Sequence, residues 1–126
     1  MFEGLIPNKR DIGDKHEAFA VEVIKNAGFE VVDKNYLCKL GEVDIIARSG
    51  QNLVFVEVRY RRSENYGGAL QSVDKKKQRR IALAANHYLQ KHKLTNKVAC
   101  RFDVFAITGS LNQLSYQWIE AAFDFW

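Results

Sequence analysis

The chain has 126 residues, of which 47% are hydrophobic and 27% are charged. This length predicts one domain with a single core, and this composition excludes a chain that is disordered over most of its length. No apolar run of bilayer length and no signal-peptide core occur in the sequence, which predicts a cytoplasmic protein that does not interact with a membrane.

The net charge of +4 is unevenly distributed along the chain. Eight basic and only two acidic residues lie between positions 59 and 80, so the rest of the chain is slightly acidic. A concentrated basic segment is typical of a protein that binds a polyanion such as nucleic acid, although a solvated charged face gives the same pattern. The basic residues are Arg59, Arg61, Arg62, Lys75, Lys76, Lys77, Arg79 and Arg80.

The N-terminal part of the chain predicts an arm followed by a helix. We expect residues 1–13 to form the arm and residues 14–126 to form a single domain. Asp14 and Glu17 have the spacing of a capping box, with Asp14 as the N-cap. The helix that they begin is predicted to end at Ala27, because glycine follows.

The remaining pattern predicts five strands and a second long helix. Gly67 and Gly68 predict a flexible loop, and Ser72 is expected to cap the helix that follows it. The order α-β-β-β-α-β-β predicts an α/β fold with a mixed central sheet flanked by helices. The aromatic tail Phe123–Trp126 either docks on the core or joins a subunit contact. The predicted strands are Phe29–Cys38, Glu42–Arg48, Leu53–Tyr60, Val98–Thr108 and Leu114–Ile119.

The second and third strands form a predicted hairpin. A two-residue loop that begins with Gly50 suits a type II′ turn, and this loop length places Ser49 opposite Asn52. Asp44 then lies opposite Glu57, and Glu42 lies opposite Arg59. The alternate positions form an apolar face of Val43, Ile45, Ala47, Val54, Val56 and Val58.

Two opposed carboxylates repel each other, so this hairpin carries an unfavourable pair. A shared proton, a basic neighbour or a bound cation would offset the repulsion. Mg²⁺ or Mn²⁺ takes carboxylate oxygens as ligands, and Asp44 and Glu57 supply such a pair. Glu17 falls on the apolar stripe of the first helix, so it is expected to approach the same place. The alternative is an exposed pair bridged by Arg59 and Arg48.

The second helix begins with three lysines, Lys75, Lys76 and Lys77. A lysine in the first turn opposes the helix dipole and is unfavourable by roughly 0.3–1 kcal/mol. A phosphate backbone reverses the sign of this effect, since helix N-termini and lysines both attract it. Gln78 follows and offers a neutral hydrogen-bonding group near the same place.

Together these segments resemble the YraN family of small bacterial proteins. That family is related to the Holliday-junction-resolvase-like members of the PD-(D/E)xK nucleases. The matching segments run through nearly the whole chain in the order of the family. They are Gly13, His16-Glu17-Ala18, Gly41-Glu42-Val43-Asp44, Phe55-Val56-Glu57-Val58-Arg59, Val73, Lys77-Gln78-Arg79-Arg80 and Arg101-Phe102-Asp103-Val104.

The resemblance implies a restriction-endonuclease-like αβββαβ core with a metal site. Asp44 and Glu57 would hold Mg²⁺ or Mn²⁺, with Glu17 as a further acid and the Val58 carbonyl completing the inner shell. Gln78 would be the polar residue on the following helix. Arg59 occupies the position of the lysine in the family pattern, and a guanidinium cannot serve as a neutral amine near pH 7.

The leading hypothesis is a metal-dependent endonuclease that acts on structured DNA. The alternative is a nucleic-acid-binding module of the same fold that has lost efficient catalysis, with Arg59 as the marker of the loss. Under both hypotheses the partner is nucleic acid, with DNA favoured, and a homodimer is expected from the resolvase-like relatives. A third class is a scaffold protein that assembles through the aromatic tail.

Overall fold

The computed structural model of the protein describes residues 9–62 and 66–124. Within these ranges, no helix combines the length and the apolar character needed to cross a membrane. The described residues form the helices α1 (Lys9–Asn26), α2 (Tyr66–Gln71) and α3 (Lys75–Lys91). The five strands are β1 (Glu30–Cys38), β2 (Gly41–Ser49), β3 (Asn52–Tyr60), β4 (Ala99–Ser110) and β5 (Gln113–Phe123).

All five strands belong to one sheet, whose spatial order follows the order of the chain. The pair β3–β4 is parallel, and the other three pairs are antiparallel. Two parallel neighbours need a crossover connection, which α2 and α3 supply. The predicted α/β fold with a mixed sheet is therefore confirmed, and the order of its elements is consistent with a restriction-endonuclease-like core.

Helices cover both faces of the sheet, so the central strands are buried on each side. Helix α3 packs on a face that includes Ile46, Phe55 and Phe102, whereas α1 packs on the face opposite. The sequence predicted only the second of these apolar faces. Val43 was expected on that face too, but it packs with the residues under α3. The residues between the sheet and α1 are Ala20, Ile24, Ile45, Ala47, Val54, Val56, Phe105 and Ile107.

Helix α1 begins earlier than the sequence predicted. It includes residues 9–13, so Asp14 and Glu17 lie inside the helix and the predicted capping box is wrong. The reason is that an acid followed three residues later by a glutamate also fits the interior of a helix, where both side chains share one face. Residues 1–8 of the predicted arm lie outside the described residues.

The connection between β3 and α3 contains a short helix where the sequence predicted a flexible loop. Gly67 and Gly68 lie within α2, whose last turn contributes Leu70 to the core under α3. Val73 follows and is 3% exposed. These two apolar contacts stabilise the segment against the sheet and outweigh the low helix propensity of glycine.

Asp74, and not Ser72, is the N-cap of α3. The Asp74 Oδ1 atom accepts the backbone N–H of Lys77 at 2.8 Å, and Asp74 itself has an extended backbone. This bond satisfies one of the free amides in the first turn. The predicted cap at Ser72 is therefore wrong, and the Ser72 hydroxyl instead accepts a hydrogen bond from Arg59.

A buried acid fixes the last two strands to each other. Asp103 is fully buried and accepts hydrogen bonds from Trp118 Nε1 at 2.7 Å and from the backbone N–H of Ala121 at 2.9 Å. The Arg101 guanidinium, at 3.0 Å, balances its charge. Asp103 lies at the register shift of the β4–β5 ladder, between Phe102 and Val104. Its side chain therefore holds the two strands together where their regular pairing is interrupted.

Strand β5 runs further than predicted and carries the first residue of the aromatic tail. The ring of Phe123 stacks on Phe102, with 4.9 Å between the ring centroids. At this position the tail docks on the core, which was one of the two expected outcomes. Phe125 and Trp126 lie outside the described residues.

Gly41, at the start of β2, lies directly against α3. A Cβ atom built at this position would collide with the backbone carbonyl of Arg80. Only glycine permits this approach, because every other residue carries that atom. Gly41 therefore sets the separation between α3 and the sheet.

Candidate active site

The β2–β3 hairpin has the predicted register, and its ladder ends beside the two acids. Paired positions run from Ser49–Asn52 to Ile45–Val56. Gly50, the first loop residue, has φ +61, and Gln51, the second, does not have a positive φ. A type II′ turn requires this combination. At the next position Asp44 Oδ2 accepts the backbone N–H of Val58 at 2.9 Å. The strands therefore separate where Asp44 and Glu57 face each other.

Glu57 is a buried carboxyl group between two cations. Its side chain is 4% exposed, and its Oε2 lies 3.3 Å from Arg59 Nη1 and 3.5 Å from Lys77 Nζ. Burial, followed by the neighbouring Asp44, raises the pKa of Glu57 to about 8. The two cations act in the opposite direction, but burial and Asp44 outweigh them. Without metal, a proton and two basic groups thus offset the repulsion of the acid pair.

Glu17 approaches the acid pair from α1. Burial, and next the Asp44 carboxylate, raise the pKa of Glu17, while a hydrogen bond with Asn35 opposes the shift. Glu17, Asp44 and Glu57 line one open cavity of about 370 Å³, which we call the acid cavity. The other residues of its wall are Gly13, Asp14, His16, Val58, Arg59, Tyr60 and Lys77.

His16 is a wall residue that the sequence did not predict as part of the site. Its ring is 6% exposed and stacks on Tyr60, with 4.2 Å between the centroids. The Tyr60 hydroxyl in turn donates to the Gly109 carbonyl at 2.8 Å. Burial lowers the pKa of His16 and favours the neutral ring. The stacking of His16 on Tyr60 holds α1 against the end of β3. The one feature of the sequence that could have indicated a role for His16 at the site is its position directly before Glu17.

The carboxyl groups suit a hydrated divalent cation and not a fully enclosed one. Among the described residues, no three or more His, Cys, Asp or Glu side chains come together as a metal-binding group. The carboxyl groups of Asp44 and Glu57 lie side by side in the cavity wall, and Glu17 lies elsewhere in the same wall. Mg²⁺ is commonly held by one or two carboxylates, with water and substrate phosphate as the other ligands. The donor set fits that mode of binding.

Arg59 connects the acid pair to the segment before α3. Its Nε donates to Ser72 Oγ at 2.9 Å and its Nη2 to the Ser72 carbonyl at 3.4 Å, while Nη1 faces Glu57. The expected pairing with Glu42 is replaced by this one, because the strands separate before position 42. Arg48 does not bridge the acids, since its Nε donates to the Gly50 carbonyl at the hairpin turn.

On α3 the residue that reaches the acids is Lys77, whereas Gln78 was expected there. Gln78 Nε2 donates to the Val73 carbonyl at 3.0 Å, and Gln78 is not part of the cavity wall. Gln78 therefore stabilises the start of α3. The sequence predicted Lys77 only as a nucleic-acid contact.

The predicted basic segment adjoins the acid cavity. A second cavity, of about 200 Å³, is lined by Ser72, Asp74, Lys76, Lys77 and Arg80, and we call it the basic cavity. Lys77 therefore belongs to the walls of both cavities. The other basic residues of the segment, Arg61, Arg62, Lys75 and Arg79, are exposed.

The sequence of the chain matches one known family over most of its length. The model of the family described as "Uncharacterised protein family UPF0102" matches residues 16–107. A UPF0102 protein from Hahella chejuensis is 50% identical over 117 residues, which are 92% of each chain. A UPF0102 protein from Pseudomonas syringae pv. syringae is 42% identical over 92% of this chain and 95% of its own. A third, from Legionella pneumophila, is 43% identical over 86% of this chain and 90% of its own. The chain belongs to the UPF0102 family, and the YraN-family resemblance of its motifs is confirmed.

Proposed function

We propose that the protein hydrolyses phosphodiester bonds in nucleic acid, with structured DNA as the favoured substrate, at a site that uses Mg²⁺ or Mn²⁺. The observation that carries the proposal is the buried Glu57 carboxyl group, held beside Asp44 on the wall of an open cavity that also exposes cations. The opposition of two carboxyl groups is unfavourable for a hairpin that serves structure alone. A bound metal would lower the pKa of a water molecule and stabilise charge on the phosphate.

Four side chains of the cavity wall would bind the metal or present charge to the substrate. The Val58 amide fixes the orientation of Asp44, and Glu57 is held by the strand and by its cations. Both would be metal ligands, and Glu17 would act from the wall through water. Arg59 is oriented by Ser72 and presents charge to the cavity.

The basic surface beside the site suits a phosphate backbone. Lysines and arginines that contact phosphates position a nucleic acid without reading its sequence. Lys76 and Arg80 line the basic cavity, which shares Lys77 with the acid cavity. Lys75 is the first residue of α3, and Arg61 and Arg62 follow β3 directly. This arrangement supports contacts on both sides of a bond that enters the cavity.

Cleavage of a panel of substrates by the Asp44→Asn variant tests the proposal. The panel contains single-stranded, duplex and branched DNA and duplex RNA, with Mg²⁺ or Mn²⁺. Asparagine keeps an oxygen for the Val58 amide but loses the charge, so we expect cleavage to fall by roughly 100-fold or more. The exposed acid Asp124, changed to asparagine, is the matched control. Cleavage by Asp44→Asn at the wild-type rate would exclude this site.

The second candidate function is binding without cleavage. It is favoured by Arg59 at the position of the expected lysine and by the two cations that already contact the Glu57 carboxyl group where a metal would bind. Binding would then weaken steeply with salt and be the same in Mg²⁺ and in EDTA. If the wild type cuts no substrate, the Arg59→Lys variant separates the candidates: new cleavage indicates a weakened nuclease, and binding without cleavage in the variant as well indicates a binding module.

A further inference from the structure

We propose that Lys77 supplies the cation that contacts the reacting phosphate at the acid pair, in the place of the lysine that position 59 lacks. The inference rests on the proposed function. It assigns a catalytic role to a residue of α3 that its sequence position marks only as one of a basic run.

Arg59 is poorly placed to follow a substrate. Its guanidinium makes two contacts with Ser72 and one with Glu57. A planar guanidinium fixed in this way has a set direction, and moving it to a phosphate would break the contacts to Ser72. Arg59 therefore acts mainly as a link between β3 and the start of α3.

Lys77 has the properties that Arg59 lacks. Its Nζ lies 3.5 Å from Glu57 Oε2, and its side chain is 41% exposed. In the part of the chain that the structure describes, Glu57 is its one ion-pair partner. An ammonium on a flexible stem can leave one anion and reach another nearby.

The backbone of Lys77 is nevertheless held firmly. Its amide donates to the Asp74 cap at 2.8 Å, which fixes the first turn of α3. Its side chain lines both the acid cavity and the basic cavity beside it. A phosphate that bridges the two cavities would meet Lys77 at their common wall.

The charge of the site explains when Lys77 would change partners. Without metal, Lys77 contacts the buried Glu57 carboxyl group. A divalent cation on Glu57 would repel the ammonium, and the phosphate that enters with the substrate would attract it. The contribution is electrostatic stabilisation of the phosphate, for which removal of one such group costs about 10²–10³ in rate in other enzymes.

Three variants test the role in cleavage. Lys77→Gln removes the charge, Lys77→Arg keeps it, and Lys91→Gln removes an exposed charge from the last turn of the same helix, outside both cavities. At saturating DNA in single-turnover assays, we expect Lys77→Gln to lose roughly 100-fold in rate. Lys77→Arg should recover part of this loss, and Lys91→Gln should remain close to the wild type. Equal rates for Lys77→Gln and Lys91→Gln would overturn the inference.

DNA binding gives a second readout that does not depend on cleavage. Affinity is measured by fluorescence anisotropy in EDTA and in Ca²⁺, which occupies carboxylate sites. We expect Lys77→Gln to lose more affinity in Ca²⁺ than in EDTA, because Lys77 contacts the Glu57 carboxyl group when no cation is bound and a cation there would displace it towards the phosphate. Lys76→Gln should lose the same amount in both. Equal losses for Lys77→Gln in the two conditions would contradict a contact at the acid pair.

The two readouts separate this inference from the proposed function. If the wild type cuts no substrate with Mg²⁺ or Mn²⁺, the proposed function fails, and the Ca²⁺ comparison alone decides whether Lys77 contacts phosphate at the acids. If the wild type cuts DNA and Lys77→Gln cuts it as fast as Lys91→Gln, the nuclease proposal survives and the role of Lys77 is wrong.

Discussion

The carboxylate of Asp44 accepts the backbone N–H of Val58 at 2.9 Å, where the ladder of the hairpin would otherwise continue. One oxygen of a candidate metal ligand is thereby used to terminate a β-ladder. The contact gives the acid a fixed orientation before any ligand binds, and it makes position 44 important for stability as well as for chemistry.

Stability measurements should separate these two roles of Asp44. Asp44→Ala leaves the partly buried Val58 amide without its acceptor, which we expect to lower the free energy of unfolding by about 1–3 kcal/mol. Asp44→Asn keeps an acceptor and should lose less. Urea denaturation in EDTA measures both variants. Equal stability of the two would show that the contact to Val58 contributes little.

The pKa of Glu57 predicts how stability depends on pH in the absence of metal. Because burial and Asp44 raise the pKa of Glu57 to about 8, the folded state holds a proton that the unfolded state releases near 4.5. The contribution of the Glu57 proton to the free energy of unfolding is complete below pH 4.5, and it is lost as the pH rises through 8. Between pH 5 and pH 8.5, the wild type should therefore lose stability relative to Glu57→Gln.

Urea denaturation in EDTA at several pH values tests this dependence. Glu22→Gln, an exposed substitution on α1, is the matched control and should follow the wild type at every pH. Parallel curves for the wild type and Glu57→Gln would mean that Glu57 is ionised throughout, with Lys77 and Arg59 dominating its environment.

Metal binding should be coupled to proton release. A carboxyl group that ligates a cation must be ionised, so affinity for Mn²⁺ should rise with pH until the pKa of Glu57 is passed. Calorimetric titration in two buffers with different ionisation enthalpies counts the protons released. We expect release at pH 7 in the wild type. An affinity that does not change between pH 6 and pH 8.5 would contradict the role of Glu57 as a ligand.

Asp103 should be the most sensitive acid for stability outside the candidate site. Asp103→Ala leaves Trp118 Nε1, the Ala121 amide and the Arg101 guanidinium without their shared partner. Removing one member of a buried charged pair typically costs about 3–5 kcal/mol. Glu120→Ala, which alters a 62% exposed partner of Arg101, should cost under about 1 kcal/mol. Denaturant midpoints compare the two variants, and similar midpoints would contradict a central role of Asp103.

The strands and the hairpin register could be predicted because their signals are local. Alternating apolar residues placed the strands to within a few positions, and Gly50 fixed the turn and with it the opposition of Asp44 and Glu57. Helix boundaries were less accurate. The start of α1 and the cap of α3 depend on competing local patterns, each of which also fits a neighbouring residue.

Arg59 was predicted at the site, but its contact with Ser72 and the contact of Lys77 with Glu57 could not be predicted from the sequence, because they depend on distant packing. Arg59 of β3 contacts Ser72 in the segment before α3, and Lys77 of α3 contacts Glu57 of β3, so each contact joins different elements of the fold. The stacking of His16 on Tyr60 is likewise a contact between a helix and a distant strand. Periodicity contains no information about such distances.

The close approach of Gly41 to Arg80 has a consequence for mutational screens. Gly41→Ala would push the first part of α3 outwards and move Lys77 away from Glu57, although Gly41 is not part of the wall of the acid cavity. A screen that scores only survival or turnover would rank this glycine with the carboxylates. A spectroscopic distance between α3 and β2 would identify it as a spacer, whose role is to hold two chemically active elements at a working separation.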